Sequence, residues 1–182
     1  MTFKLSSSQE ELETIIKISL GEFIKGINAN KWVGRENEAV NVFVFSYLLK
    51  RVKEGSILFD PGQIGIEVAV PQINSNKEKN KNKEQVRKDL VIWEKPFRTC
   101  FNKDKKPENY PIAILEWKFK GFREKQKDRD KQFEEDIIWL KEFTRNRNIL
   151  GYAIMIDYFE GIHRIKASRI LKGEEEKFIT RK

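Results

Sequence analysis

The segment 110–120, YPIAILEWKFK, constrains this chain more than any other. Ile112, Ala113, Ile114 and Leu115 are apolar at consecutive positions. Successive strand side chains point to opposite faces of a sheet, so such a run reads as a strand buried on both sides. The same strand then ends in Glu116 and Lys118, two residues apart and therefore side by side. Alternation places Ile112, Ile114, Glu116 and Lys118 on one face, and Ala113, Leu115, Trp117 and Phe119 on the other. A buried strand that carries a carboxylate and an ammonium to its end asks for a chemical reason.

The flanking sequence supplies the rest of a layered fold. Residues 7–26 predict a helix capped by Ser7 or Ser8, with Glu10 or Glu11 at capping-box spacing and Leu12, Ile15, Ile16, Leu20, Phe23 and Ile24 on one stripe. A second, more apolar helix is predicted from Glu36 to Lys53. Glu36 lies four residues before Val40 on its inner stripe, and Glu38 lies on the neighbouring one. A turn at Asp60-Pro61-Gly62 leads into a strand ending near Val70. The lysine-rich INSNKEKNKNKEQVRK reads as a loop. KDLVIWEKP reads as a short strand opening with Asp89, whose face also carries Val91 and Trp93. After a second loop and the 110–120 strand comes a helix over 122–144, with Phe133, Ile137, Leu140 and Phe143 inward. A fourth strand, NILGYAIMIDYFE, follows, and the tail from 160 reads as a short strand or helix. Three strands in short succession suggest an antiparallel meander, and strand–helix–strand suggests a right-handed parallel crossover. The expected class is α/β: a mixed sheet of four to five strands flanked by helices, forming one domain over residues 1–182.

Charge points to a class of partner. The net charge is +8, and residues 73–131 hold 18 Lys and Arg against 10 Asp and Glu, so the whole excess lies in the middle third. A local basic field suggests a polyanion, nucleic acid first; a solvated Lys-rich surface gives the same count. One Cys, Cys100, and one His, His163, leave no thiolate cluster and no zinc site needing two imidazoles. Cys100 reads as structural and His163 as a surface or loop residue. There is no apolar run of transmembrane length, and the N-terminus turns polar at once, unlike a secretory leader. The expectation is a cytoplasmic protein with no membrane partner.

If the strands of Asp89 and Glu116 are neighbours, their carboxylates meet at one sheet edge. Two close carboxylates repel unless a cation joins them. Mg²⁺ takes hard oxygen ligands from one or two carboxylates and keeps its waters and substrate phosphates. An adjacent Lys adds a point charge for an attacking water.

This constellation resembles the PD-(D/E)xK nuclease superfamily, with its restriction-endonuclease-like αβββαβ core. Asp89 in RKDLVIW and Glu116-Trp117-Lys118 in ILEWKFK carry the resemblance, which covers about residues 33–159 and leaves the first helix and the tail as appendages. Lys88 stands where the motif's name has Pro, and the interval from Asp89 to Glu116 is long. The resemblance implies a metal-dependent nuclease. Asp89, Glu116 and the Trp117 carbonyl would hold Mg²⁺, for which Mn²⁺ can substitute. Lys118 would assist the water, and Glu36, or Glu38 in its stead, would help hold metal or water. It also implies DNA as first substrate and allows a homodimer; a catalytically idle module binding nucleic acid or protein is the alternative. Lys120, Arg123, Lys125, Lys127 and Lys131 after the motif, and Arg87 and Lys88 before it, are candidate phosphate contacts or a solvated charged face. Gln132 is a weaker candidate. A second Glu-x-Lys, Glu175 to Lys177, lies in a charge run and reads as solvated.

Overall fold

The computed structural model describes residues 4–32, 34–73, 84–120 and 126–181. Helix α1, Ser7–Ala29, starts one residue earlier than the capping signals suggested. Ser6 is the cap: its hydroxyl accepts from the Gln9 amide, and the Gln9 side chain accepts the Ser6 N–H in return. Leu12, Ile16, Leu20, Phe23, Ile24 and Ile27 form its buried stripe. Helix α2, Glu36–Phe43, runs on through a π turn at Val44–Leu48 and a 3₁₀ turn at Leu49–Arg51.

Among the described residues six strands make one mixed sheet in the spatial order of the sequence: β1 (Ile64–Pro71), β2 (Gln85–Ile92), β3 (Ala113–Lys120), β4 (Leu150–Phe159), β5 (Ile162–Leu171) and β6 (Glu174–Arg181). β3 and β4 are parallel and joined by helix α3, Gln126–Thr144; every other neighbouring pair is antiparallel. The expected four to five strands are therefore six, because the tail folds as two strands. Its turns explain this. Glu160-Gly161 and Lys172-Gly173 both have positive φ at their two central positions, the backbone of a tight two-residue hairpin.

Helices cover both faces. α1 and α2 pack on Leu90, Ile92, Ala113, Leu115, Trp117 and Phe119. α3 packs on Val91, Trp93, Ile114, Ala153 and Met155 through Phe133, Ile137, Leu140 and Phe143. The alternation expected for β3 holds from Ala113 to Phe119. Ile112, just outside the strand, instead packs with the α1/α2 side. His163 is a buried β5 residue rather than a surface one, with its amide donating to Asn28 Oδ1 at 2.6 Å. Cys100 is buried and unpaired, and burial pushes its thiol up to about 11. Among the described residues no helix is long and apolar enough to cross a membrane.

Candidate active site

β2 and β3 part company where the acidic residues begin. Their ladder pairs Ile92 with Ala113, Val91 with Ile114 and Leu90 with Leu115, and then stops. The next residues in register would be Asp89 and Glu116. Beyond that point the open edge of β3 is taken by carboxylates. Asp89 Oδ2 accepts the Trp117 N–H at 2.7 Å, and Glu36 Oε2 accepts the Phe119 N–H at 3.1 Å. Two side-chain acids thus stand where a partner strand would supply carbonyls, which keeps these backbone donors satisfied.

The fork has a local cause in β2. The β1–β2 ladder pairs Ile66 with Leu90 and Val68 with Lys88 but skips the intervening Glu67 and Asp89. Glu67 sits at φ +55, a left-handed conformation that costs a non-glycine residue about 1 kcal/mol or more. Side-chain alternation breaks here. Val91 and Trp93 pack toward α3, and so do Val86 and Lys88, although Lys88 is an odd number of residues from both Val91 and Trp93. Asp89 therefore does not open β2, as the sequence suggested. It lies inside a strand that begins at Gln85, at the irregularity that aims it across the gap.

Lys118 is held from several sides. Its ammonium donates to the Trp117 carbonyl at 2.7 Å, pairs with Asp136 Oδ2 at 2.9 Å and lies 3.9 Å from Glu36 Oε1. Burial pulls its pKa down, but Asp136, Glu36 and Asp89 outweigh that and leave it above its ordinary value. At neutral pH Lys118 is an ammonium, suited to donate and to offset negative charge rather than to accept a proton. Glu116 is 4% exposed. Burial, reinforced by Asp89 and Asp136, pushes its carboxyl up to about 8 against the opposing pull of Lys88. Burial likewise raises Asp136, with Lys118 opposing.

The sequence placed Lys88 on a nucleic-acid surface; the structure corrects this. Lys88 is 5% exposed, its ammonium 2.5 Å from Glu116 Oε1 and 3.6 Å from the centre of the Trp139 ring. A side chain so enclosed cannot reach a phosphate backbone. Arg87, Lys131 and Gln132 are exposed. Lys120 ends β3 opposite Asp157, and Lys127 lies in the first turn of α3; their side chains, with Arg123 and Lys125 entirely, fall outside the described residues, as does most of the lysine-rich loop. Glu36, not Glu38, reaches β3, while Glu38 Oε2 accepts the Arg35 N–H at the start of α2. Glu175 pairs with Lys141 and accepts from Ser168, far from this cluster in the sheet.

Asp136 was not singled out from sequence, although a signal was there. It falls on the α3 stripe of Phe133, Ile137 and Leu140 at i+3 spacing, a charged residue on a core-facing line. The assembled side chains are four carboxylates (Glu36, Asp89, Glu116, Asp136) and two ammoniums (Lys88, Lys118), an excess of two negative charges when all are ionised. A divalent cation matches that excess in the fully ionised state; burial by itself favours the protonated forms of Glu116 and Asp136. The donor set also fits a hard ion: the Asp89 and Glu116 carboxylates and the Trp117 carbonyl are oxygens, of which Mg²⁺ needs few from protein. No group of three or more His, Cys, Asp or Glu side chains forms a ready metal cage among the described residues. Set against family models, curated proteins and solved structures, the chain matches none.

Proposed function

We propose that this chain is a Mg²⁺-dependent nuclease with a restriction-endonuclease-like core, hydrolysing phosphodiester bonds in DNA. The observation that carries the reading is the fork between β2 and β3. It gathers Asp89, Glu116, the Trp117 carbonyl and Lys118 at one opened edge. Asp89, Glu116 and the Trp117 carbonyl would hold Mg²⁺, which would supply charge to offset the transition state and acidity to a water. Lys118 would orient the attacking water, whose proton passes to solvent, and would offset charge on the non-bridging oxygens. Asp136 and Glu36 fix its ammonium, so the donor is aimed before substrate arrives. Glu36 also holds the backbone of β3 at Phe119, which keeps the edge open. The basic middle third would draw in the polyanion without reading its sequence.

A second reading has an observation of its own. Lys88 already neutralises Glu116, as it would in an idle nuclease-fold module that binds nucleic acid or protein. Incubation with plasmid, branched and single-stranded DNA, in Mg²⁺, Ca²⁺ or EDTA, separates the two. Cleavage is expected in Mg²⁺ alone and is lost in Glu116→Ala and Lys118→Ala. No Mg²⁺-dependent cleavage of any substrate, or equal cleavage by both variants, removes the catalytic reading.

A further inference from the structure

Lys88 has no part in the chemistry just described, yet it lies deeper than Lys118. We propose that Lys88 is a resident counter-cation that competes with the divalent ion for Glu116 and so sets how tightly the site loads. This rests on the metal reading above.

Three observations carry it. The Lys88 ammonium is 2.5 Å from Glu116 Oε1, on one of the two carboxylates assigned to the metal. Both side chains are almost wholly enclosed, at 6% and 5% exposure, so water screens neither partner. The β2 irregularity at Asp89 turns Lys88 to the α3 side, where regular alternation from Val91 would have sent it to the other face.

The physics follows from charge and enclosure. A buried ammonium is costly without a partner, so Lys88 must hold Glu116 when no metal is there. A divalent ion placed on the same carboxylate faces the ammonium at short range in a poorly screened site, and the two cations repel. Loading the metal therefore requires Lys88 to give up Glu116. The face of Trp139, already 3.6 Å away, continues to attract the released ammonium and keeps it inside the fold. Lys118 does not compete for Glu116: it pairs with Asp136 and lies near Glu36, and it meets the metal's ligand set only at the Trp117 carbonyl. The Glu116 carboxylate is thus offset from within when no metal is bound, at the expense of weak loading.

The test reads metal binding directly. Mn²⁺ and Mg²⁺ chlorides are titrated calorimetrically into the full chain, and Tm is followed against metal concentration. Wild type is compared with Lys88→Met, Lys88→Gln and Lys88→Arg. Lys88→Met and Lys88→Gln should bind Mn²⁺ at least about tenfold more tightly, with a lower metal-free Tm and a larger rise on loading. Lys88→Arg should behave as wild type, and Glu116→Gln should bind no metal. If Lys88→Met fails to fold without metal, Lys88→Gln, neutral but polar, gives the same comparison. Equal or weaker binding by both neutral variants, with wild type binding, overturns the competition and leaves the metal reading standing. Absence of binding in every variant, or binding that persists in Glu116→Gln, overturns both.

Discussion

Glu116→Gln should flatten the dependence of folding stability on pH. The folded-state value of Glu116 is about 8 against an ordinary 4.5. The folded protein therefore holds this proton more tightly than the unfolded chain does. The stability linked to it is fully present below pH 4.5 and is lost as pH rises through about 8. At ~1.4 kcal/mol per tenfold, the gap sets a ceiling of ~5 kcal/mol. Lys88 beside it shares the balance, so a loss of roughly 2–5 kcal/mol is expected in wild type across that window. Gln cannot ionise, and the variant should lack this slope. It leaves the Lys88 ammonium without its carboxylate and starts from a lower plateau at pH 5; the difference in slope, not in plateau, is diagnostic. Urea unfolding at pH 5, 6, 7, 8 and 9 in EDTA measures both curves. Asp136, also raised by burial, slopes in the same direction in both proteins. Parallel curves for wild type and variant would refute the argument that Glu116 is a buried acid whose ionisation opposes folding.

Two further outcomes follow from the same geometry. Asp136→Asn removes the 2.9 Å partner of Lys118 and should lower the cleavage rate by about tenfold to a hundredfold through a misaimed ammonium, with DNA affinity unchanged; single-turnover kinetics beside anisotropy titrations check it, and a wild-type rate would count against Lys118 as the aimed donor. Exposed Arg87 and enclosed Lys88 should separate in salt dependence: Arg87→Ala should reduce the slope of log affinity against log salt by about 0.9 if it meets one phosphate, and Lys88→Met should leave that slope alone.

Much of the architecture was legible because it depends on local periodicity. The α1 stripe, the two-faced burial of β3 and the crossover through α3 follow from spacings of 3.6 and 2 that need no knowledge of neighbours. The pairing of Glu116 and Lys118 on one face followed in the same way. The tail was read less well, since its strands are defined by the hairpins at Glu160-Gly161 and Lys172-Gly173. There a non-glycine residue takes a positive φ beside each glycine, a weaker signal than Asn-Gly. Asp136 was hidden in a helix judged by its apolar positions, where one acid on the inner line looked like part of the charged face.

Sequence alone pointed to four of the six clustered side chains: an acid and a lysine on one face of a buried strand, another acid on the strand before, and one at a helix start. It could do so because alternation within a strand is a property of the backbone. Tertiary structure decided how these groups are wired. The break at Glu67 and Asp89 opens β3, points Asp89 at the Trp117 amide and turns Lys88 inward onto Glu116. A break in pairing depends on two strands at once, so no reading of either strand by itself reveals it. The same break converts a lysine that regular alternation would place on the opposite face into the counter-charge of the site's most buried carboxylate.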